Sequence, residues 1–450
     1  MDDRVLSESE FTKRTFAEIE KKHGKSVEQL YTEREKRVTD AVNLKEPDRV
    51  PVNLALGDFV FRHTGISPSA AFYEPEAFKR AFIKTALDFE PDICGSPAGA
   101  LMSGLGLEAL DVRQMRWPGG TLPPDSSLQF LDAENMKAEE YDIFITDPTD
   151  FMLRYYLPRT LGALASLSKI LPPLGQSLAG NVPGFFSMSP ILAAKEFQEA
   201  AQKVAIAGQE QEKFQSSSAE DMTQFGFPPV SYPGGVCGGF ASGTAQPFDW
   251  IADQLRGMKG IVDDMFKRPE KLLIACERVL EWRLARATPA DPSAKGYPRR
   301  VSGGITHWSS DGFLSKKQFE TFCWPTWKRA LVATIDLGFV PSVYLEGPCD
   351  DRVEYFLDIP KGKFVLRFEQ SDIFRAKAIL GGHCCISGNV PPSMMQVGSP
   401  REVEEYCRKL IRVCGKGGGF ILSPGAALTR QVKPENVRVL RDSVERYGRY

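Results

Sequence analysis

The sequence has no long hydrophobic run. No window approaches the roughly 18 apolar residues that a membrane-crossing helix needs. The opening stretch "MDDRVLSESEFTKRTFAEIEKKHGK" is polar and charged and has no apolar segment of signal-peptide type. A cytoplasmic protein without membrane contact is expected. A charge excess is also missing. The formal net charge is −2 over 450 residues, which excludes the basic footprint of a nucleic-acid binder. A disulfide framework is missing as well: the nine cysteines (Cys94, Cys237, Cys276, Cys323, Cys349, Cys384, Cys385, Cys407 and Cys414) are odd in number and irregular in spacing. Reduced, mostly buried thiols are expected. There is neither a short internal repeat nor a low-complexity tract.

What is present is strand–helix alternation. "PSVYLEG", "KFVLRFEQ", "HCCISG" and "GFILSPG" read as buried strands. Helical patterns separate them: "DDRVEYFLDIP", "DIFRAKAILG" and "REVEEYCRKLIRVCG", with "KPENVRVLRDSVERYG" at the end. Upstream, "SKKQFETFCWPTWKRALVATIDLG" is a helix with Ser315 as its cap and Gly338 as its stop, kinked or divided at Pro325. Short links between such units call for parallel strands with right-handed crossovers. Further strand candidates near 50, 92, 230 and 300 bring the total to about eight. The expected fold is α/β, a (β/α)8 TIM barrel, with a doubly wound open sheet as runner-up. Residues 1–45 read as an N-terminal helical arm and 46–450 as the barrel. Within it, 114–175 is a Pro- and aromatic-rich insertion covering the mouth. Long helices are expected over 190–216 and 249–284.

In such a barrel, chemistry sits at the C-terminal strand ends. Glu346 ends "SVYLEG", Glu369 ends "FVLRFEQ", Ser423 ends "FILS" and His307 follows "VSGGI". The glycine-rich "CGKGGGF" precedes its strand, so a helix stop and tight turn are expected there rather than a phosphate cradle. His383 and Cys385 are two apart on one strand and share a face, with Cys384 on the other. An imidazole and a thiolate so placed can offer a zinc ion nitrogen and sulfur, with Glu346 and Glu369 adding oxygen. A satisfied barrel-interior histidine beside core thiols explains the same pattern. A Cys–His nucleophilic pair is the weakest reading, because no orienting partner is evident.

The run "GHCCISGNVPPSMMQVGSPREVEEYCRKLIRVCGKGGGFILSPG" resembles the C-terminal part of the uroporphyrinogen decarboxylase superfamily. "DRVPV", "PFDWIADQLRGMKGIVDDMFKRPEKLL" and "LSKKQFETFCWPTWKRALVATIDLG" are similar to it in the same order. The resemblance implies a (β/α)8 barrel and one of two chemistries. The decarboxylases clamp eight carboxylates with an N-terminal arginine cluster, which "PVNLALGDFVFRHTG" lacks. The other branch, the cobalamin-dependent methyltransferases, uses a zinc ion at the barrel mouth. Here Glu346 stands where the coenzyme M members carry an H-x-C pair, and Ala426 and Ala427 stand near their distant cysteine. The branch that demethylates aryl methyl ethers or methylamines is therefore implied, with Glu346, Glu369, His383 and Cys385 as the metal set and Glu346 and His307 as catalytic residues. No D-x-H-x-x-G cobalamin signature is present, so the cobalamin is expected on a separate corrinoid protein. The remaining expected partners are a small methylated substrate and, as a homodimer, a second copy of the chain. Trp117, Phe151 and Tyr155, with Phe144 and Tyr156, are candidate walls of the substrate pocket. A decarboxylase acting on a smaller substrate, with His307 or a carboxylate as its acid, and a non-enzymatic tetrapyrrole- or corrinoid-binding barrel are the alternatives.

Overall fold

The computed structural model describes residues 8–95, 97, 102–173, 189–218, 222–228, 246–293, 296–297 and 300–450. A two-residue pair, β1 (Met115–Arg116) with β2 (Gln129–Phe130), lies in the insertion. The main sheet is β3 (Val301–Thr306), β4 (Val340–Leu345), β5 (Val365–Phe368), β6 (Cys385–Val390) and β7 (Phe420–Pro424). These five strands are parallel and ordered as in the chain. Their apolar runs suit strands covered on both faces.

Two further segments extend the sheet at its β7 edge. Val52 pairs in parallel with Leu422 of β7, and Asn53 with Ile93. Asn53 N donates to Leu422 O at 2.9 Å, and Leu422 N donates to Pro51 O at 2.9 Å. The first strand position therefore lies beside the last, as in a closed barrel; a doubly wound open sheet would not bring these two together. The order is Ile93, Asn53, β7, β6, β5, β4, β3. The strand expected near 230 lies outside the described residues.

Strand parity separates two packing regions. Val301, Val365, Cys385 and Ile421 join Ile93 and the helix residues Val38, Ala41 and Val42 in one buried cluster. Their neighbours along the strands, among them Val343, Leu366, Ile386 and Leu422, join the outer helices in another. The helix Val27–Val42 thus plugs the N-terminal end of the barrel. It starts at a capping box of Ser26 and Gln29. Within the expected arm, this second helix (after Glu8–His23) belongs to the core. Arg37 ties it down: its Nη1 is 2.6 Å from Asp92 Oδ1, and Arg49 Nη1 is 2.6 Å from Asp92 Oδ2.

Local signals hold in several helices. Ser315 caps with Gln318, and Gly338 stops the following helix at φ +87°. A π-helical turn, Phe319–Cys323, precedes Pro325 and accommodates its missing N–H, so the helix continues as Trp324–Asp336. The long helix expected over 249–284 is instead divided, because Gly257 takes φ +63° and Pro269 opens a new helix, Pro269–Arg286. The helix expected over 190–216 is observed as Lys195–Ser218. In the glycine-rich loop, a β-carbon on Gly418 would sit 2.4 Å from Lys45 O. These glycines serve a tight turn at the plugged end.

Candidate active site

Parallel register builds the site. Thr306 pairs with Leu345, and Leu345 with Phe368. The next residues, His307, Glu346 and Glu369, are therefore neighbours at the C-terminal ends of three adjacent strands. His307 Nδ1 forms an ion pair with Glu346 Oε2. Glu369 Oε2 accepts from Gly347 N at 2.7 Å, which fixes the turn behind Glu346.

A helix packed over these strand ends adds two acids. Pro247–Trp250 continues into a π-helical turn, Ile251–Arg256, and Asp249 and Asp253 lie one turn apart on it. Asp249 Oδ2 accepts from His307 N at 2.7 Å. Asp253 Oδ2 is 3.9 Å from His307 Nε2, and Asp253 Oδ1 accepts from Trp308 Nε1. Burial, and then the neighbouring Asp253, push the Asp249 carboxyl up to about 8. Burial also raises Asp253. For His307 burial acts downward, but Glu346 and Asp253 outweigh it and the imidazole rises to about 9. With those values His307 is an imidazolium and the buried Asp249 is protonated at neutral pH. The imidazolium can donate a proton to a substrate atom.

His383 and Cys385 are not brought to this site. Cys385 opens β6 in register with Val365, four residues below Glu369, so about 13 Å separates their levels along the strands. Cys385 is fully buried in the cluster against Val38 and Val42. Burial, opposed by Lys377, raises its thiol to about 12, which disfavours a thiolate ligand. His383 precedes the strand, and its Nε2 is 2.9 Å from Ile359 O. Parity places Cys385 on the barrel-interior face, as the spacing implies, but at the wrong depth. Among the described residues, no group of three or more His, Cys, Asp and Glu is disposed to hold a metal ion. The expected zinc set does not fit.

Most of the aromatic candidates are engaged in packing. Trp117 is buried, with Nε1 donating to the Tyr73 hydroxyl at 3.0 Å. Phe151 is fully buried edge-on to Phe144 at 5.5 Å, and Phe144 packs on Trp282. Tyr155 stacks on Phe151 and lines a separate cleft with Arg154, Pro158 and Arg159. Trp117, Phe151 and Phe144 thus serve packing, whereas Tyr156 reaches the helix over the site, its hydroxyl donating to Gln254 Oε1 at 3.0 Å beside Asp253. The insertion reaches the rim at another point, where Asp125 O accepts from Arg430 and Ser127 Oγ is 3.3 Å from Asp58 Oδ2. A cavity of ≈ 320 Å³ lined by Arg34, Arg37, Arg49, Glu90 and Arg441 lies at the opposite, plugged end of the barrel.

Sequence reasoning missed Asp249 and Asp253. Their signal was the i, i+4 acid pair in "FDWIAD".

Comparisons with known proteins agree with this barrel. Residues 302–447 match the family described as uroporphyrinogen decarboxylase (URO-D). Over 77 residues the chain is 34% identical to a uroporphyrinogen decarboxylase of Pseudoalteromonas atlantica, covering 17% of this chain and 21% of that protein. Over 78 residues it is 32% identical to the decarboxylase of an Azoarcus species, covering 17% and 22%. The chain thus spans about a fifth of the length of the curated relatives it matches. A solved methyltransferase from Methanosarcina mazei has a TM-score of 0.52 at 14% identity, covering 92% of this chain and 98% of that one. The resemblance to the uroporphyrinogen decarboxylase superfamily is borne out, and the fold is its (β/α)8 barrel.

Proposed function

We propose that the chain is a methyltransferase that takes a methyl group from a small methylated donor and passes it to the reduced corrinoid of a separate protein. The observation that carries the reading is the His307–Glu346–Asp253 cluster at the barrel mouth. Demethylation of an ether or amine leaves an electron pair on oxygen or nitrogen, a poor leaving group unless protonated. His307 Nε2 supplies that proton as the bond to the methyl carbon breaks, and the proton is regained from solvent. Glu346 orients the imidazole through Nδ1 and keeps it charged. Asp249 holds the His307 backbone, and Asp253 faces Nε2. The fold shared with a methyltransferase supports the methyl-transfer side of this reading.

Decarboxylation is the second reading, favoured by the URO-D match over 302–447. There the same imidazolium protonates the carbanion left by CO₂. Incubation of the purified chain with cob(I)alamin and a panel of aryl methyl ethers and methylamines separates the two. Methylcobalamin with an equal amount of demethylated product is the expected result. Carbon dioxide release from a carboxylated substrate, without methylcobalamin, would replace the first reading by the second.

A further inference from the structure

Arg367 lies on β5 between Val365 and Glu369 and shares their interior face. It is in register with Tyr344 and Ser387 on the flanking strands. It therefore forms the floor of the site, about 7 Å of strand below Glu369. Its guanidinium carbon is 5.1 Å from the Tyr344 ring centroid. Its Nε is buried without a hydrogen-bond partner, and the side chain has no ion pair among the described residues.

The carboxylates above it are engaged elsewhere. Glu369 holds Gly347 N, Glu346 pairs with His307, and Asp249 holds His307 N. Ser387 and Ser423 turn to each other, Oγ to Oγ at 3.1 Å. The Tyr344 hydroxyl has no partner among the described residues either. Burial, and then Glu369 and Glu346, push its phenol up, so it stays a neutral donor. A half-buried cation with an unpaired Nε is costly unless an anion joins it. A planar guanidinium beside a hydroxyl matches the two oxygens of a carboxylate.

We propose that the donor is a methylated carboxylic acid, with its carboxylate seated on Arg367 and the Tyr344 hydroxyl and its methylated heteroatom at His307. The inference rests on the methyl-donor reading. The depth between Arg367 and His307 calls for a short rigid or ring-sized spacer between the two ends.

Calorimetric binding tests the seat without turnover. The probes are 4-methoxybenzoate, N-methylated amino acids, and the carboxamides that lack their carboxylate, titrated into wild type, Arg367→Gln and Arg367→Lys. At least one acid should bind wild type more tightly than its amide by roughly ten- to a hundredfold. Arg367→Gln should abolish that preference, and Arg367→Lys, which keeps the charge if the Gln variant fails to fold, should restore part of it. Equal binding of acid and amide, binding of no acid, or a preference that survives Arg367→Gln would overturn the proposal. Acid binding without methyl transfer would keep the seat and remove the proposed reaction.

Discussion

In the proposed reaction Glu346 acts on His307, and His307 acts on the leaving atom; the two substitutions should therefore fail differently. His307→Gln removes the proton donor and should lower turnover by about a hundred- to ten-thousandfold. Glu346→Gln removes the ion pair that holds His307 near 9. The acid must be protonated, so the wild-type rate should fall as pH rises through about 9. In Glu346→Gln that fall should begin at lower pH, towards the ordinary histidine value of 6.5. An unchanged profile in Glu346→Gln would remove Glu346 from its role. Cys385→Ala should leave turnover unchanged, because Cys385 packs under the barrel plug. Strand ends in the sequence identified His307, Glu346 and Glu369. Depth misled the reading of His383 and Cys385: parity is legible in a strand, but its first residue depends on where pairing begins. Pairing begins at Val365 with Cys385.

At the scale of elements, the helix carrying Asp249 and Asp253 and the strand ends carrying His307 and Glu346 share a proton balance. Asp249 is raised from 3.8 to about 8 and His307 from 6.5 to about 9. Both native values lie above the unfolded ones, so the folded state holds more protons between about pH 4 and 9. Their contribution to stability falls as pH rises across that window. Thermal unfolding between pH 6.5 and 9 should show a falling midpoint, flattened in Asp249→Asn. A midpoint that rises over that range in wild type would contradict the assignment. At the other end, Asp92 is fully buried, and Arg49 and Arg37 outweigh burial and hold it down at about 2. Its share of stability is present above 3.8 and lost as pH falls towards 2. Asp92→Asn leaves Arg37 and Arg49 short of their shared carboxylate and should cost about 3–5 kcal/mol, read by denaturant unfolding. The helix around 249 was legible as a helix. Its breaks at Gly257 and Pro269 followed from glycine and proline, whose effect a long periodic pattern masks.

For the whole molecule, closure explains why the polar chemistry gathers at one end. The helix Val27–Val42 fills the N-terminal opening with Val38, Ala41 and Val42, so the proposed donor would enter at the C-terminal opening. Val38→Ala should destabilise the barrel by about 2 kcal/mol in denaturant unfolding, with donor binding unchanged. The sequence showed alternation and the strand count, because each strand is an apolar run with its own turn signals. The plug stayed illegible, since three small apolar residues on a charged helix look like a surface element until the barrel end they fill is built. The central claim is that His307 protonates the leaving atom. Its most direct test is methyl transfer from a series of aryl methyl ethers of graded phenol acidity, in wild type and His307→Gln. The defect should be largest for the least acidic phenol and shrink as the phenol becomes a better leaving group. A defect of the same size across the series would contradict it.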